Sequence, residues 1–329
     1  MKNRDWLKAW YTPIFFALPT YFLLMFASQM IFGVEVNRWL KLALYFALYF
    51  FFGWLLAKVA NAGTEVAAER HPAHDWPISG PIRYAGKYVF FLTFYPTLIL
   101  SSLNPFQFVQ QFRQIFGQAK AAKRLKGNEE ANANYQTKAT YRLPFSGEWL
   151  VFNGGLKEAT SHSWQVLAQR YAYDFVQADP EFRRHRGQGM RLRDYYCYGQ
   201  PILAAADGEV VDVVDKIGPA PLVGFGIADF LCRHFAGNHV VICHADGEYG
   251  FYAHLIKGTI PVKIGDSVKA GEEIGRCGHT GHSSEPHLHF HLQDTPSIFT
   301  GMGLPIRFQG VGEIVRGQRV VGESAGLPD

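Results

Sequence analysis

The sequence predicts N-terminal transmembrane α-helices followed by an all-β domain built on an antiparallel β-sheet or β-sandwich. Three observations carry this. Uncharged apolar runs crowd into the first hundred residues. From about residue 145 the texture changes to short apolar runs broken by Gly, Asp and Pro, the pattern of short strands joined by turns. The second half also holds Glu285-Pro286-His287-Leu288-His289-Phe290-His291, in which histidines alternate with apolar residues.

Residues 11–34 contain no charge, and residues 42–57 form a second unbroken apolar run. About 20 apolar residues span the hydrocarbon core as a helix, so the first run is long enough. The second becomes so, over about 38–58, once Trp39, Leu40 and the snorkelling Lys41 and Lys58 are included. A cleavable signal peptide fits badly, because the first run is long and the second follows almost at once. A third stretch, about 88–106, is expected to span as well, with Pro96 tolerated inside it; the competing reading is an interfacial or buried amphipathic segment. Residues 1–112 thus read as a membrane region of two or three helices and 113–139 as a basic polar juxtamembrane linker. Residues 140–329 remain for the β-domain.

Charge gives the orientation. Lys2, Arg4 and Lys8 favour a cytoplasmic N-terminus, so three spans would deliver residues 140–329 to the extracytoplasmic side and two would leave them inside. The expected location is the cell membrane, multi-pass, with the β-domain outside and the lipid bilayer as one partner. A formal net charge of +4 over 329 residues gives little reason to invoke nucleic acid.

In a strand, side chains alternate between faces at about 3.3 Å per residue, so His287 and His289 share a face about 6.6 Å apart. That spacing suits one metal ligand beside one general base. Upstream stand Tyr252-Ala253-His254-Leu255 and Ala172-Tyr173-Asp174-Phe175. A carboxylate among Tyr, Ala and Phe is costly to bury unless a cation stabilises its charge. Two His and one Asp, with a fourth position left to water, is the ligand count of a catalytic zinc site.

Six ordered blocks carry a wider likeness. They are Gln169-Arg170-Tyr171-Ala172-Tyr173-Asp174-Phe175, the run from Gly199-Gln200-Pro201 to Asp207-Gly208-Glu209-Val210, Gly237-Asn238-His239-Val240-Val241-Ile242, Tyr252-Ala253-His254-Leu255, the run from Val268-Lys269-Ala270-Gly271 to Ile274-Gly275, and Pro286-His287-Leu288-His289-Phe290. Over roughly 145–310 the chain resembles the M23 (lysostaphin and LytM type) zinc metallopeptidases. The resemblance implies Asp174 and His289 as zinc ligands, and His254 and His287 as the histidines that handle protons and steady the oxyanion. It also implies one Zn2+ per chain and a peptide of bacterial peptidoglycan as substrate.

Most members of that family place the remaining ligand four residues before the aspartate, where this chain has Arg170, a side chain that cannot ligate zinc. A branch with a Gln-Arg-Tyr-Ala block resembles this arrangement and implies His162, twelve residues before Asp174. The expected activity is a zinc metalloendopeptidase; a catalytically silent LytM-like wall-binding or amidase-regulating protein is the alternative. A lipoyl or biotinyl carrier is a weaker rival, since Ala206-Asp207-Gly208 and Ile264-Gly265-Asp266 echo its strands while the histidines would have no use there.

Other features divide between structural and functional readings. The arginine-rich segment 181–193 reads as a solvated loop or a basic substrate rim, and 218–236 as an apolar insertion that lines the cleft, dips into lipid or packs on the domain. Cys197, Cys232, Cys243 and Cys277 fit no CxxC zinc pattern and leave one disulfide open outside the cytoplasm. His279 and His282 read as turn residues near the site mouth, and His291 as a support behind it or an exposed strand residue.

Overall fold

The computed structural model describes residues 12–33, 37–61, 79–80, 82 and 86–323. The chain divides into two compact units, 1–70 and 71–329. In the first, α1 (Thr12–Phe32) and α2 (Arg38–Asn61) lie against each other in opposite directions: Phe16 meets Phe52 and Tyr21 meets Tyr45, at ring separations of 5.8 and 5.9 Å. With 21 and 24 residues, they reach about 31 and 36 Å at 1.5 Å per residue. Both are long and apolar enough to cross a membrane. Large apolar side chains such as Phe22, Leu23 and Phe26 face outward, which water would penalise and lipid would not.

The second unit opens with α3 (Gly86–Ser101), α4 (Pro105–Leu125) and α5 (Glu129–Ala133). The sequence leads one to expect a third membrane span over 88–106, but α3 has only 16 residues, about 24 Å, short of the roughly 30 Å core. The chain then breaks where Pro105, whose ring fixes φ, starts α4 and the Asn104 side chain accepts from the Phe106 N–H. α3 leans on the β-domain, for the Thr97 hydroxyl accepts from the Ala228 N–H at 3.2 Å. Among the described residues, two helices rather than three have spanning length. Within 113–139, Ala121 and Leu125 of α4 pack with Leu167, and buried Asn132 of α5 donates to the Gly303 carbonyl.

Eleven strands follow: β1 (Gly147–Asn153), β2 (Tyr173–Val176), β3 (Pro201–Leu203), β4 (Gly208–Val214), β5 (Asn238–Ala245), β6 (Glu248–Leu255), β7 (Ser267–Val268), β8 (Glu273–Arg276), β9 (Leu288–Gln293), β10 (Gly303–Leu304) and β11 (Arg319–Gly322). Nine form one sheet in the order β11-β1-β2-β9-β6-β5-β4-β7, with β10 beside β9, and β3 pairs with β8 in a second. Every one of these strand pairs is antiparallel.

Strand alternation assigns the two faces of the main sheet. Tyr173 and Phe175 of β2, Tyr252 of β6, and Leu288, Phe290 and Leu292 of β9 enter the main core with Phe145, Trp149 and Phe308. Their neighbours Asp174, His289, His291 and Gln293 fall on the opposite face. Phe175 is fully buried, with Phe145 edge-on at 4.9 Å and Tyr173 stacked at 5.7 Å. Phe175→Ala is therefore expected to destabilise the domain by about 3–5 kcal/mol through the cavity it leaves. Urea unfolding of the full chain in detergent measures this, and a loss under about 1 kcal/mol would place the core elsewhere.

All four cysteines are free thiols. The segment 181–193 is only partly a solvated loop, because Arg184 and His185 within it are buried.

Candidate metal centre

Three adjacent strands build the site. β2 pairs with β9 so that Asp174 stands directly across from His289, and β9 pairs with β6 so that His289 faces Ala253, next to His254. His287 lies one residue before β9, on the same face as His289. His162 comes from the loop that precedes the Leu167–Gln169 helical turn. One ligand atom from each of His162, Asp174 and His289 lies within 4.8 Å of the others. Two imidazoles and a carboxylate so grouped fit a divalent ion, and zinc in particular.

Each donor is aimed by a partner. On Asp174, Oδ1 is 2.9 Å from His289 Nδ1 and Oδ2 is 3.4 Å from His162 Nδ1. The bulge in β1 turns Asn153 towards Asp174, and its amide donates to Oδ2 at 2.9 Å. Behind His289, Nε2 meets His291 Nδ1 at 3.0 Å and His291 Nε2 meets Gln293 Oε1 at 3.0 Å. Since the Gln293 oxygen only accepts, His291 Nε2 carries a proton and its Nδ1 accepts from His289 Nε2–H. That arrangement turns His289 Nδ1 to the side of Asp174, where it would be the atom offered to a metal.

The same reasoning orients the other two rings. His254 Nδ1 donates to the Thr280 carbonyl at 2.7 Å and His287 Nδ1 to the Glu285 carbonyl at 2.7 Å. Each ring thus has Nε2 left to face the site, that of His287 lying 3.7 Å from Asp174 Oδ1. Their centroids are 4.7 Å apart. His254 holds this pose at φ +66°, a strained backbone for a non-glycine residue, which the surrounding bonds sustain.

Burial raises the Asp174 carboxyl, but His162, His287 and His289 outweigh it together and hold the group well below the usual carboxylate range. The site therefore offers a full negative charge. Desolvation, followed by the nearby His287 and His289, pushes His254 well below the ordinary histidine value. His162 is lowered too, first by desolvation and against the pull of Asp174. Its side chain is 37% exposed, so desolvation weighs less there than at His254.

Arg170, at the position where the family's usual ligand would stand, points its guanidinium over the Trp164 ring at 5.0 Å. His291 is fully buried behind His289, and His279 is buried with Nδ1 2.8 Å from the Ser283 hydroxyl. His282 bonds the Gln107 side chain of α4 at 2.8 Å. Sequence reasoning passed over Asn153, Gln293 and the buried pair Arg184–Glu285, which meets at 2.6 Å. Glu285 also accepts from the Ser79 N–H, which fixes the turn that aims His287. Of these only Gln293 left a sequence signal, as the third polar residue of the alternating His289-His291-Gln293 face.

A groove of about 420 Å3 opens over the five residues. His162, Asp174, His254, His287 and His289 form its polar floor, while Phe94 of α3, Phe152, Phe235, Ile298 and Phe299 supply apolar walls. The floor has two further imidazoles beside three potential metal donors facing one space, the kinds of group that amide hydrolysis uses.

Residues 184–299 match the model of Peptidase family M23. Asp174 and His162 precede that range. The cell division protein DipM of Caulobacter vibrioides is 34% identical over 113 residues, 34% of this chain and 15% of that protein. The peptidoglycan DD-endopeptidase ShyA of Vibrio cholerae is 28% identical over 195 residues, 55% of this chain and 39% of that one. Lysostaphin of Staphylococcus simulans is 37% identical over 93 residues, 28% and 15% of the two. The aligned segments thus span well under half of each of these relatives. Among solved structures, a zinc containing peptidase from Vibrio cholerae shares 24% identity over 51% of this chain and 41% of that one, with a TM-score of 0.31.

Proposed function

The chain carries a domain of peptidase family M23, and from that premise we propose that it is a membrane-anchored zinc metalloendopeptidase that cuts peptide bonds in the cross-links or stem peptides of bacterial peptidoglycan. The observation that carries the reading is the facing of donors and imidazoles: His162, Asp174 and His289 converge, and His254 and His287, each held at Nδ1 by a backbone carbonyl, line the same groove. The substrate follows from relatives whose names tie them to peptidoglycan, among them the DD-endopeptidase above.

In this reading His162, Asp174 and His289 hold the zinc. When bound, the ion acidifies a water molecule and polarises the scissile carbonyl. His287 and His254 do the proton work, because imidazole is the available base and no HExxH glutamate is present. An Nε2 lone pair accepts the water proton, and the resulting imidazolium donates to the oxyanion and then to the leaving amine. The Thr280 and Glu285 carbonyls stabilise each ring as it becomes charged, since both accept from Nδ1–H. The apolar walls exclude bulk water and so strengthen these interactions. The test is to incubate the full chain with purified cross-linked peptidoglycan and follow new free amino groups. Release that stops on chelation and returns with zinc is expected, and zinc-loaded protein that releases none would leave a silent wall-binding relative.

Peptidoglycan as substrate requires the catalytic domain outside the cytoplasmic membrane. With two spanning helices the N-terminus then lies outside as well, against the expectation from Lys2, Arg4 and Lys8, and the connection ahead of Arg38 and Lys41 at the start of α2 is cytoplasmic. A reporter active only in the periplasm should be active when fused at the C-terminus and inactive when inserted at residue 35. An inactive C-terminal fusion that is stably made would remove peptidoglycan as the substrate.

A further inference from the structure

α4 is amphipathic in the inverted sense. Two of its glutamines turn inward: Gln107 and Gln110 are buried, Gln107 donating to the Asp229 and Cys232 carbonyls and Gln110 to that of Arg233. Gly117 packs so closely on the Phe299 carbonyl that a Cβ there would collide with it. The outward face carries Phe106, Phe108, Val109, Phe112, Ile115 and Phe116, each between 45% and 63% exposed. Phe108, Phe112 and Phe116 make a ladder along the axis at 4.8 and 6.4 Å. A helix in water shows the opposite pattern, and a contiguous exposed aromatic stripe marks a surface with a partner.

We propose that the outward face of α4 is a bilayer-docking surface, lying in the interfacial layer of a membrane rich in anionic lipid and holding the catalytic groove against it. The occupant follows from charge and from the chain. The charged residues of α4 are Arg113, Lys120, Lys123 and Arg124, with no carboxylate among them; Arg124 pairs with Asp294 at 3.1 Å, which leaves Arg113, Lys120 and Lys123 for a lipid surface. A cationic helix with a Phe-rich face has the composition that partitions into anionic membrane surfaces. The same chain carries two helices of spanning length, so a bilayer is at hand in the reading above, on which this inference rests.

The surface also joins the site. A groove of about 410 Å3 beside Phe108, Phe112 and Phe116 is bordered by Arg113, Lys120 and Phe299. The Arg113 guanidinium lies 4.3 Å from the Phe299 ring centroid, and Phe299 is a wall of the catalytic groove too. A bilayer seated on α4 thus borders the residue that shapes the substrate groove. The substrate peptide is then one that lies close to the membrane surface.

The test reconstitutes the full chain in nanodiscs of phosphatidylethanolamine and phosphatidylglycerol containing a phospholipid with an acyl-chain diazirine. After illumination, labelled peptides are mapped by mass spectrometry. Labelling of α4 at Phe108, Phe112 or Phe116, beside labelling within 12–61, is expected. The variant Phe108→Ser/Phe112→Ser/Phe116→Ser should lose the α4 label at least about tenfold and keep that of 12–61. All three rings are about half exposed and none belongs to the buried core, so the domain should stay folded. Label confined to 12–61, or α4 captured instead by cross-links to a second copy, would overturn the docking surface and leave the anchoring intact. Absence of label from both regions would overturn the anchoring itself.

Discussion

Replacing His287 with alanine is expected to lower turnover by about 10²–10⁴-fold, the usual contribution of a positioned general acid or base, while zinc stays near one per chain. The expectation follows from orientation. His287 gives Nδ1–H to the Glu285 carbonyl, so only Nε2 can work, and it lies 3.7 Å from Asp174 Oδ1, beside the converging donors rather than among them. His254 is bound in the same way by Thr280 and should behave alike. Metal analysis and amino-group release on the same preparations separate the two effects. Zinc lost in step with activity would make His287 a ligand, and full activity in both variants would leave the site without its bases.

His162→Ala should weaken zinc binding by more than about 100-fold. Removing a residue that merely orients a ligand already costs about 10–100-fold, and His162 is proposed as a ligand itself. The neighbouring arginine cannot substitute, because Arg170 is turned over the Trp164 ring and has no lone pair to give. Competition with a fluorescent chelator reads the affinity. His291→Ala is the control with a different signature: it removes the acceptor that sets the His289 tautomer and should weaken binding by only about 10–100-fold. A His162 variant that binds zinc like the parent would move the third ligand elsewhere.

Much of the site was legible because its chemistry rides on strand alternation. The spacing of His287 and His289 requires them to share a face whatever the rest of the fold, and β9 obeys it. The ligand from the loop was legible only through family likeness, since no periodicity marks His162. Asn153 reaches Asp174 through a β-bulge, and Arg184 finds Glu285 across 101 residues. Neither leaves a local pattern, for both join segments far apart in sequence. The sequence also read a third membrane span where the structure has a 16-residue helix followed by a capped break. Hydropathy registers the apolar run of α3 but not the capped break at Asn104-Pro105 that ends it, nor that Gln107 and Gln110 just beyond bind backbone carbonyls of the 218–236 insertion.

Zinc K-edge absorption of the zinc-loaded full chain tests most directly which residues hold the metal. Two imidazole nitrogens and a carboxylate oxygen at about 2.0–2.2 Å are expected, with one further light atom, and the spectrum should be unchanged in His287→Ala. A count of three imidazoles that falls to two in His287→Ala would contradict the division between metal donors and proton-handling histidines.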